Sequence, residues 1–368
     1  MFPVRLALLG GFLGSGKTTT LIRLAQLLQS RGVSAAIITN DQAAGMVDTT
    51  RVQAAGVPCA EIAGGCFCCK FDSLVEAARG LITACAPQVI LAEPVGSCTD
   101  VRATVAYPLL EQYGAAVQVA PLTVLLDPVR ARHAVDETTP FGTDVAYIFE
   151  RQLAEADVLV LNKADLVVPV ELEQLRHALA ERYPHARVMT MSNSTGQGLE
   201  DLLEVLMEGG LSVKHFMDVD YDRYAAGEAR LGWLNASAAA APLEGDAALD
   251  NEVLVRELCR AIQRVLREHK AEVAHLKVSL TTEHGVTAAS VTGSAGAPAM
   301  TDRSLAPCAG AEVTINVRAE ADPEVLARSV QLSCQAVRAA RLRLGPLNAF
   351  QPSRPRPTHR VVRTTRPA

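Results

Sequence analysis

The stretch 8–20, LLGGFLGSGKTTT, constrains this chain more than any other. Gly11, Gly16, Lys17 and Thr18 fill the pattern G-x-x-x-x-G-K-[ST] without a mismatch. An apolar run (Val4, Leu6, Ala7, Leu8, Leu9) precedes it, and a helical pattern (Leu21, Ile22, Leu24, Leu27, Leu28) follows. Strand, glycine turn and helix are the three parts a phosphate-cradling loop needs. Glycine at 11, 14 and 16 lets the backbone curl until successive N–H groups face an anion, and the positive end of the next helix adds to that field. The candidate contacts to a nucleotide are Gly11, Gly14, Ser15, Gly16, Lys17, Thr18 and Thr19. Lys17 is expected to reach the β- and γ-phosphates, and the Thr18 hydroxyl to ligate Mg²⁺.

Phosphate loops of this kind open an α/β sheet, and the rest of the chain supplies one. Extended, buried patterns recur at 33–39, 57–62, 88–92, 122–126, 158–161 and 187–191, separated by helical patterns. Polar motifs stand at the ends of these strands, which predicts a mostly parallel sheet flanked by helices on both faces. The pattern changes near Gly209-Gly210. Strands are expected at 230–236, 275–281, 286–292 and 312–318, and helices at 252–268 and 323–340. That order predicts a smaller α+β domain, an antiparallel sheet with two helices on one face. The segment 293–310 reads as a loop and the alanine run 236–241 as part of a connection. The expected division is 1–210, 211–345 and a Pro/Arg-rich tail over 346–368.

At 368 residues two domains are expected, on a prior of roughly 150 residues each. No apolar run reaches the ~18 residues of a membrane span, so none is expected. The apolar N-terminus superficially resembles an export signal, but its removal would destroy the phosphate loop. A cytoplasmic location is therefore expected. Nine cysteines in such a chain point to metal binding or free thiols rather than a disulfide framework. After Glu324 there are nine Arg and no acidic residue. Such a basic end could dock an acidic partner or nucleic acid, but the prolines at 346, 352, 355, 357 and 367 favour a solvated helix face and a disordered tail.

Asn162-Lys163-Ala164-Asp165 is N-K-x-D at the end of a buried strand, about 145 residues after the phosphate loop. A buried carboxylate at Asp165 accepts hydrogen bonds from N1 and the exocyclic amine of guanine and mismatches adenine. Asn162 and Lys163 brace the base and the loop, and Ser192 stands where a backbone contact to the guanine oxygen is made. Glu93, in Glu93-Pro94-Val95-Gly96, either holds Mg²⁺ through water or belongs to an ordinary strand-end turn. Asp41 is a candidate to contact Mg²⁺ or position the attacking water, and helix capping accounts for it equally well. Asp127 reads as a cap.

Cys66-Phe67-Cys68-Cys69 is the second strong signal. In an extended segment Cys66 and Cys68 point the same way and can share one soft ion at about 2.3 Å, with Cys69 joining only if the chain turns. Two or three thiolates leave a tetrahedral site open or completed by another group or subunit. Buried thiols or a redox pair are the alternatives. Cys59 and Glu61 lie near enough in sequence to contribute, whereas Cys85, Cys98, Cys259, Cys308 and Cys334 read as plain buried thiols. His215, His269, His275 and His284 show no ligand spacing.

The phosphate loop, E-x-x-G, the triplet in GGCFCC and NKAD together resemble the CobW/HypB/UreG family of P-loop GTPases, over roughly residues 1–210. The C-x-C-C motif is similar to that of the CobW-like branch. This resemblance implies GTP and Mg²⁺ binding, slow hydrolysis and delivery of a transition metal, Zn²⁺ or Co²⁺ above all, to a client metalloenzyme or cofactor pathway. It implies Lys17 and Thr18 at the phosphates and Mg²⁺, Asp165 at guanine, and Cys66, Cys68 and Cys69 at the transferred metal. The chain departs from the branch at NDQAAGMVD, where a strongly acidic segment often stands, and in its scattered His. A nucleotide- or metal-dependent homodimer is compatible with an incomplete cysteine site. The rival reading is a GTP-gated regulatory protein that remodels a partner enzyme, with the cysteines structural.

Overall fold

In the computed structural model the apolar run before the glycine turn is strand β1 (Val4–Gly10), buried at every position except Arg5. A strand without alternation is buried on both faces, and this one lies inside a parallel sheet. The structure describes residues 3–42, 47–212, 216–245, 247–304, 306 and 308–362. The chain forms two compact units, Met1–Ala44 with Ala55–Tyr224 and Pro355–Ala368, and Gly45–Ala54 with Ala225–Arg354. Among the described residues no helix is long and apolar enough to cross a membrane.

In the first unit β1 leads into α1 (Lys17–Ser30), β2 (Ala35–Asp41) and, beyond α2 (Val47–Ala54) of the second unit, β3 (Cys59–Ala63). Next come α3 (Phe71–Cys85) and β4 (Val89–Ala92), then a π-helical turn at Arg102–Ala106 running into α4 (Tyr107–Tyr113). After β5 (Val117–Val119) and β6 (Thr123–Leu126) follow α5 (Pro128–Val135), α6 (Thr143–Ala154), β7 (Val158–Leu161), α7 (Pro169–Arg182), β8 (Arg187–Thr190) and α8 (Leu199–Glu208). The sheet order is β3-β2-β4-β1-β6-β7-β8, with β5 beside β1 and the strands parallel. The order reverses at β1, so the crevice at its carboxyl end is the place for a ligand. The predicted mostly parallel sheet is the one observed.

The second unit contains the antiparallel sheet β12-β11-β10-β13-β9-β14. α9 (Tyr221–Arg230) runs into β9 (Leu231–Ala241), followed by α10 (Asn251–Glu268), β10 (Glu272–Thr282), β11 (Gly285–Val291), β12 (Ala299–Asp302), β13 (Ala311–Glu320), α11 (Pro323–Ala336) and β14 (Arg341–Phe350). Asp250 caps α10 by accepting from the Val253 N–H at 3.0 Å. Leu254, Leu258, Ile262 and Leu266 then line one helical stripe in the same core as Leu326, Val330 and Cys334 of α11. α2 belongs here because Arg51 pairs with Asp302 at 2.6 Å and Asp48 with Lys277.

Three sequence expectations are corrected in this unit. The alanine run is no connection. Ala236, Ala238 and Ala240 alternate into the core from β9, between β13 and β14. The segment 293–310 contains the short strand β12. β14 was masked in the sequence by Pro346, which sits where the register shifts between Leu344 and Leu347 on the sheet's edge. An edge strand tolerates proline at a bulge.

Candidate functional site

The glycine turn after β1 is wound as a cradle. Gly11, Gly14 and Gly16 have φ of 128°, 81° and 98°. A Cβ on Gly11 would stand 2.3 Å from the Leu125 carbonyl oxygen, so the loop fits only as glycine. Lys17 Nζ lies back over the loop, 2.7 Å from the Gly11 carbonyl. Ser15 Oγ is buried with no hydrogen-bond partner among the described residues. Thr18, one residue into α1, donates to both Glu93 oxygens at 2.9 and 3.1 Å. A hydroxyl and a carboxylate brought together from 75 residues apart form an all-oxygen donor pair suited to a hard cation.

Glu93 follows β4, and three residues later Gly96 touches the loop. Its Cβ, if present, would lie 2.7 Å from Leu13 Cδ2. Asp41 ends β2 at this same carboxyl edge. Asp127 is a cap, accepting from the Arg130 N–H at 3.1 Å. Arg130 was not singled out by any sequence motif, yet it donates to the Leu13 carbonyl and covers the Phe12 ring at 4.9 Å.

At the other end of the cradle, Asn162 donates to the Ser15 carbonyl at 2.8 Å, tying N-K-x-D to the phosphate loop. Lys163 takes a left-handed φ of 59°. Burial lowers its pKa, with Asp127 pulling the other way. The Asp165 carboxylate is exposed, not buried as expected, because the turn after β7 lies on the rim. Burial raises its pKa, but hydrogen bonds from Ser192 and Ser194 outweigh that and leave it below the ordinary value. Ser192 Oγ donates to it at 2.6 Å. The serine hydroxyl thus orients the carboxylate, a role the sequence did not suggest. Thr19 lies in the first turn of α1.

The cysteines follow β3 in a turn, not an extended segment. The N–H groups of Cys69 and Lys70 both bond the Cys66 carbonyl, at 3.0 and 2.9 Å, and this swings Cys69 to the side of the other two. The Sγ separations are 2.8, 3.4 and 3.7 Å. Two ligands 2.3 Å from a tetrahedral ion stand about 3.8 Å apart, so the thiols must spread, the Cys66–Cys68 pair most, to take one ion between them. Among the described residues Cys66, Cys68 and Cys69 form the compact His/Cys/Asp/Glu group, and Cys59 and Glu61 stand outside it. Cys98 is no bystander. It stands outside the compact group but close enough to shift the pKa of both Cys66 and Cys68. Bonds from Cys68, Cys69 and Cys98 hold the Cys66 thiol well below its ordinary pKa, whereas bonding to Cys66 pushes Cys69 up to about 11. Asn40 fastens the turn to β2, donating to the Ile62 and Gly65 carbonyls at 2.9 and 2.8 Å and accepting from the Phe67 N–H at 3.0 Å. His215 and positions 43–46 of NDQAAGMVD lie outside the described residues.

A phosphate cradle, N-K-x-D and a thiol cluster on one sheet edge have a counterpart among known proteins. The model of the CobW/HypB/UreG nucleotide-binding domain matches residues 5–190, half of the chain. The chain belongs to the CobW/HypB/UreG family. It is 30% identical over 173 residues to the zinc chaperone YeiR of Escherichia coli (strain K12), covering 46% of this chain and 49% of YeiR. It is 26% identical over 211 residues to the zinc chaperone CobW of Pseudomonas aeruginosa, covering 51% and 56%. The chain therefore spans about half the length of these two relatives. The crystal structure of HypB from Helicobacter pylori in complex with nickel is 23% identical with a TM-score of 0.43, covering 58% of this chain and 92% of HypB. Apart from α2, the matched residues fall within the first unit.

Proposed function

We propose that this chain is a GTP-binding, GTP-hydrolysing metallochaperone that carries a transition metal on Cys66, Cys68 and Cys69 and delivers it to a client metalloenzyme or metallocofactor pathway. The observation that carries the reading is the position of the thiols. Asn40 at the end of β2 grips the cysteine turn, and Cys98 reaches it from the loop that begins at Glu93. The Glu93 loop touches the phosphate cradle at Thr18 and Leu13, and β2 ends at the same sheet edge, so a nucleotide-dependent shift at that edge moves the thiols.

Lys17 leaves the Gly11 carbonyl for the β- and γ-phosphates, and the backbone of Gly11, Gly14, Ser15, Gly16 and Thr19 completes the cradle. Asp165 selects guanine, held by Ser192 and flanked by Asn162 and Lys163. Thr18 and Glu93 would hold Mg²⁺, which when bound offsets charge on the phosphates. Asp41 orients the attacking water. Hydrolysis by the chain alone is slow, on the order of 10⁻⁴–10⁻² s⁻¹, and rises with a client or on homodimer formation. The relatives' names and the sulfur donors favour Zn²⁺ as cargo, with Co²⁺ next. Cys98 supplies the fourth thiol that a triplet lacks. The setting is cytoplasmic.

The test is to titrate Zn²⁺ and Co²⁺ against a competing chelator with GTP, GDP or no nucleotide. Linkage requires that GTP and metal alter each other's affinity by one factor. Identical metal affinity in all three states removes the delivery role and leaves the regulatory reading.

A further inference from the structure

The segment 355–361, expected to be part of a disordered tail, lies along the cysteine turn. Thr358 donates its N–H and its hydroxyl to the Cys68 carbonyl, at 3.0 and 3.3 Å. The Arg356 N–H points at Cys69 Sγ, 3.2 Å away. The His359 ring meets Phe71 edge-on with centroids 4.8 Å apart, directly after the turn. Arg360 Nε pairs with the Asp100 carboxylate at 2.7 Å, and its guanidinium lies over the Tyr221 ring at 5.3 Å. The Val361 N–H closes the run on the Ala103 carbonyl at 2.9 Å. All of these residues belong to the first unit.

The far end of this contact is built, not casual. Asp100 is 2% exposed, takes a left-handed φ of 63° and also accepts from the Tyr221 hydroxyl at 2.8 Å. A carboxylate buried that deeply needs its cation, so the arginine is held firmly. Pro355 and Pro357 stiffen the segment in an extended form, which lowers the entropy lost on docking. At the near end, Cys69 is the half-buried member of the triplet, whereas Cys66 and Cys68 are buried. Cys69 is thus the thiol through which an incoming ligand would begin an exchange, and it is the one the segment touches.

We propose that residues 355–361 form a strap that covers the cysteine site and gates the exit of its metal, latched by Arg360 on Asp100. This inference rests on the metallochaperone reading. The Arg356 N–H occupies one side of Cys69 Sγ, the side from which the half-buried thiol is reached. The strap also shuts out the attacking ligand that would take the ion over. Transfer then begins with the latch opening.

The test uses the full chain with Arg360→Gln, Arg360→Lys and Arg356→Pro, the last removing one N–H between two existing prolines. Cys69 alkylation by iodoacetamide is followed by mass mapping in metal-free protein. Release of loaded Zn²⁺ to 4-(2-pyridylazo)resorcinol is followed by absorbance. Arg360→Gln should speed both, and Arg356→Pro should speed Zn²⁺ release, by roughly 10- to 150-fold, the loss of one hydrogen bond to a charged group. Arg360→Lys should recover most of the native rates, and GTP affinity should not change in any variant. Stoichiometric Zn²⁺ released at the native rate by both variants overturns the strap and leaves the metal reading standing. A native chain that binds no Zn²⁺ overturns the metal reading, and the gating with it, whatever the alkylation rates.

Discussion

Gly16→Ala isolates the fit between the phosphate cradle and N-K-x-D. Gly16 has φ of 98°, and a side chain in that left-handed region costs about 1–2 kcal/mol. The added Cβ would stand 2.4 Å from Asn162 Nδ2, inside any allowed contact. Asn162 must therefore swing away and give up its 2.8 Å bond to the Ser15 carbonyl in a buried setting, which costs a further ~1–3 kcal/mol. The sum, about 2–5 kcal/mol, corresponds to GTP binding weakened on the order of 30- to 3,000-fold if the loop relaxes when empty. If it does not relax, the same cost appears as lost stability. Calorimetric titration with GTP and Mg²⁺, paired with thermal unfolding, captures both. Asn162→Ala alone already lacks the bond, so adding Gly16→Ala to it should cost only the backbone part. The double variant should then lie ~1–3 kcal/mol short of the sum of the singles. Unchanged affinity and melting temperature in Gly16→Ala, or strict additivity in the pair, would refute the geometry.

Two further outcomes are expected. Cys98→Ser should weaken Zn²⁺ about tenfold or more in chelator competition while GTP affinity holds, because its thiol faces both Cys66 and Cys68; an unchanged Zn²⁺ affinity would return Cys98 to the plain buried thiols. Burial pushes the Glu155 carboxyl up to about 8, against an offsetting bond from the Arg102 N–H and with Asp100 adding to the rise. Between the unfolded value near 4.5 and about 8 the folded chain keeps a proton that the unfolded chain has lost, so stability falls as pH rises through that window. Urea unfolding at pH 5, 7 and 9 should show this fall, on the order of a few kcal/mol, flattened in Glu155→Gln; parallel curves for the two proteins would contradict it.

The parallel sheet was legible because its strands are continuous apolar runs that end in polar motifs, and burial on both faces demands such runs. The second unit was harder for a stated reason. β9 carries its core on alanines, whose small side chains give little hydropathy contrast, and β14 accommodates Pro346 at an edge bulge. Propensity spoke against both strands, and position in the sheet overrode it. The strap at 355–361 was hidden in the same way. Its arginines and prolines have the composition of a solvated tail, and the partners that fix Arg360, Asp100 and Tyr221, stand far away in sequence.

The site divides along a similar line. Gly11, Gly16, Lys17, Thr18 and the N-K-x-D residues were legible because each group is contiguous and its chemistry fixes its spacing. Cys98, Arg130 and Asn40 were not, because what makes them matter is strand order. β3, β2 and β4 are neighbours in that order, so the loops after them meet at one edge although 30 residues separate Cys68 from Cys98. Asn40, at the end of the middle strand, bonds the turn that carries the triplet, and Cys98 lies near enough to act on Cys68. In a parallel sheet every strand delivers its last residues to one edge. Thiols, amides and guanidinium groups within a few residues of those ends are therefore candidates for one site, whatever their separation in sequence. Pooled in that way, Cys98, six residues past β4, becomes a candidate beside the triplet, whereas Cys259 on α10 and Cys334 on α11 do not.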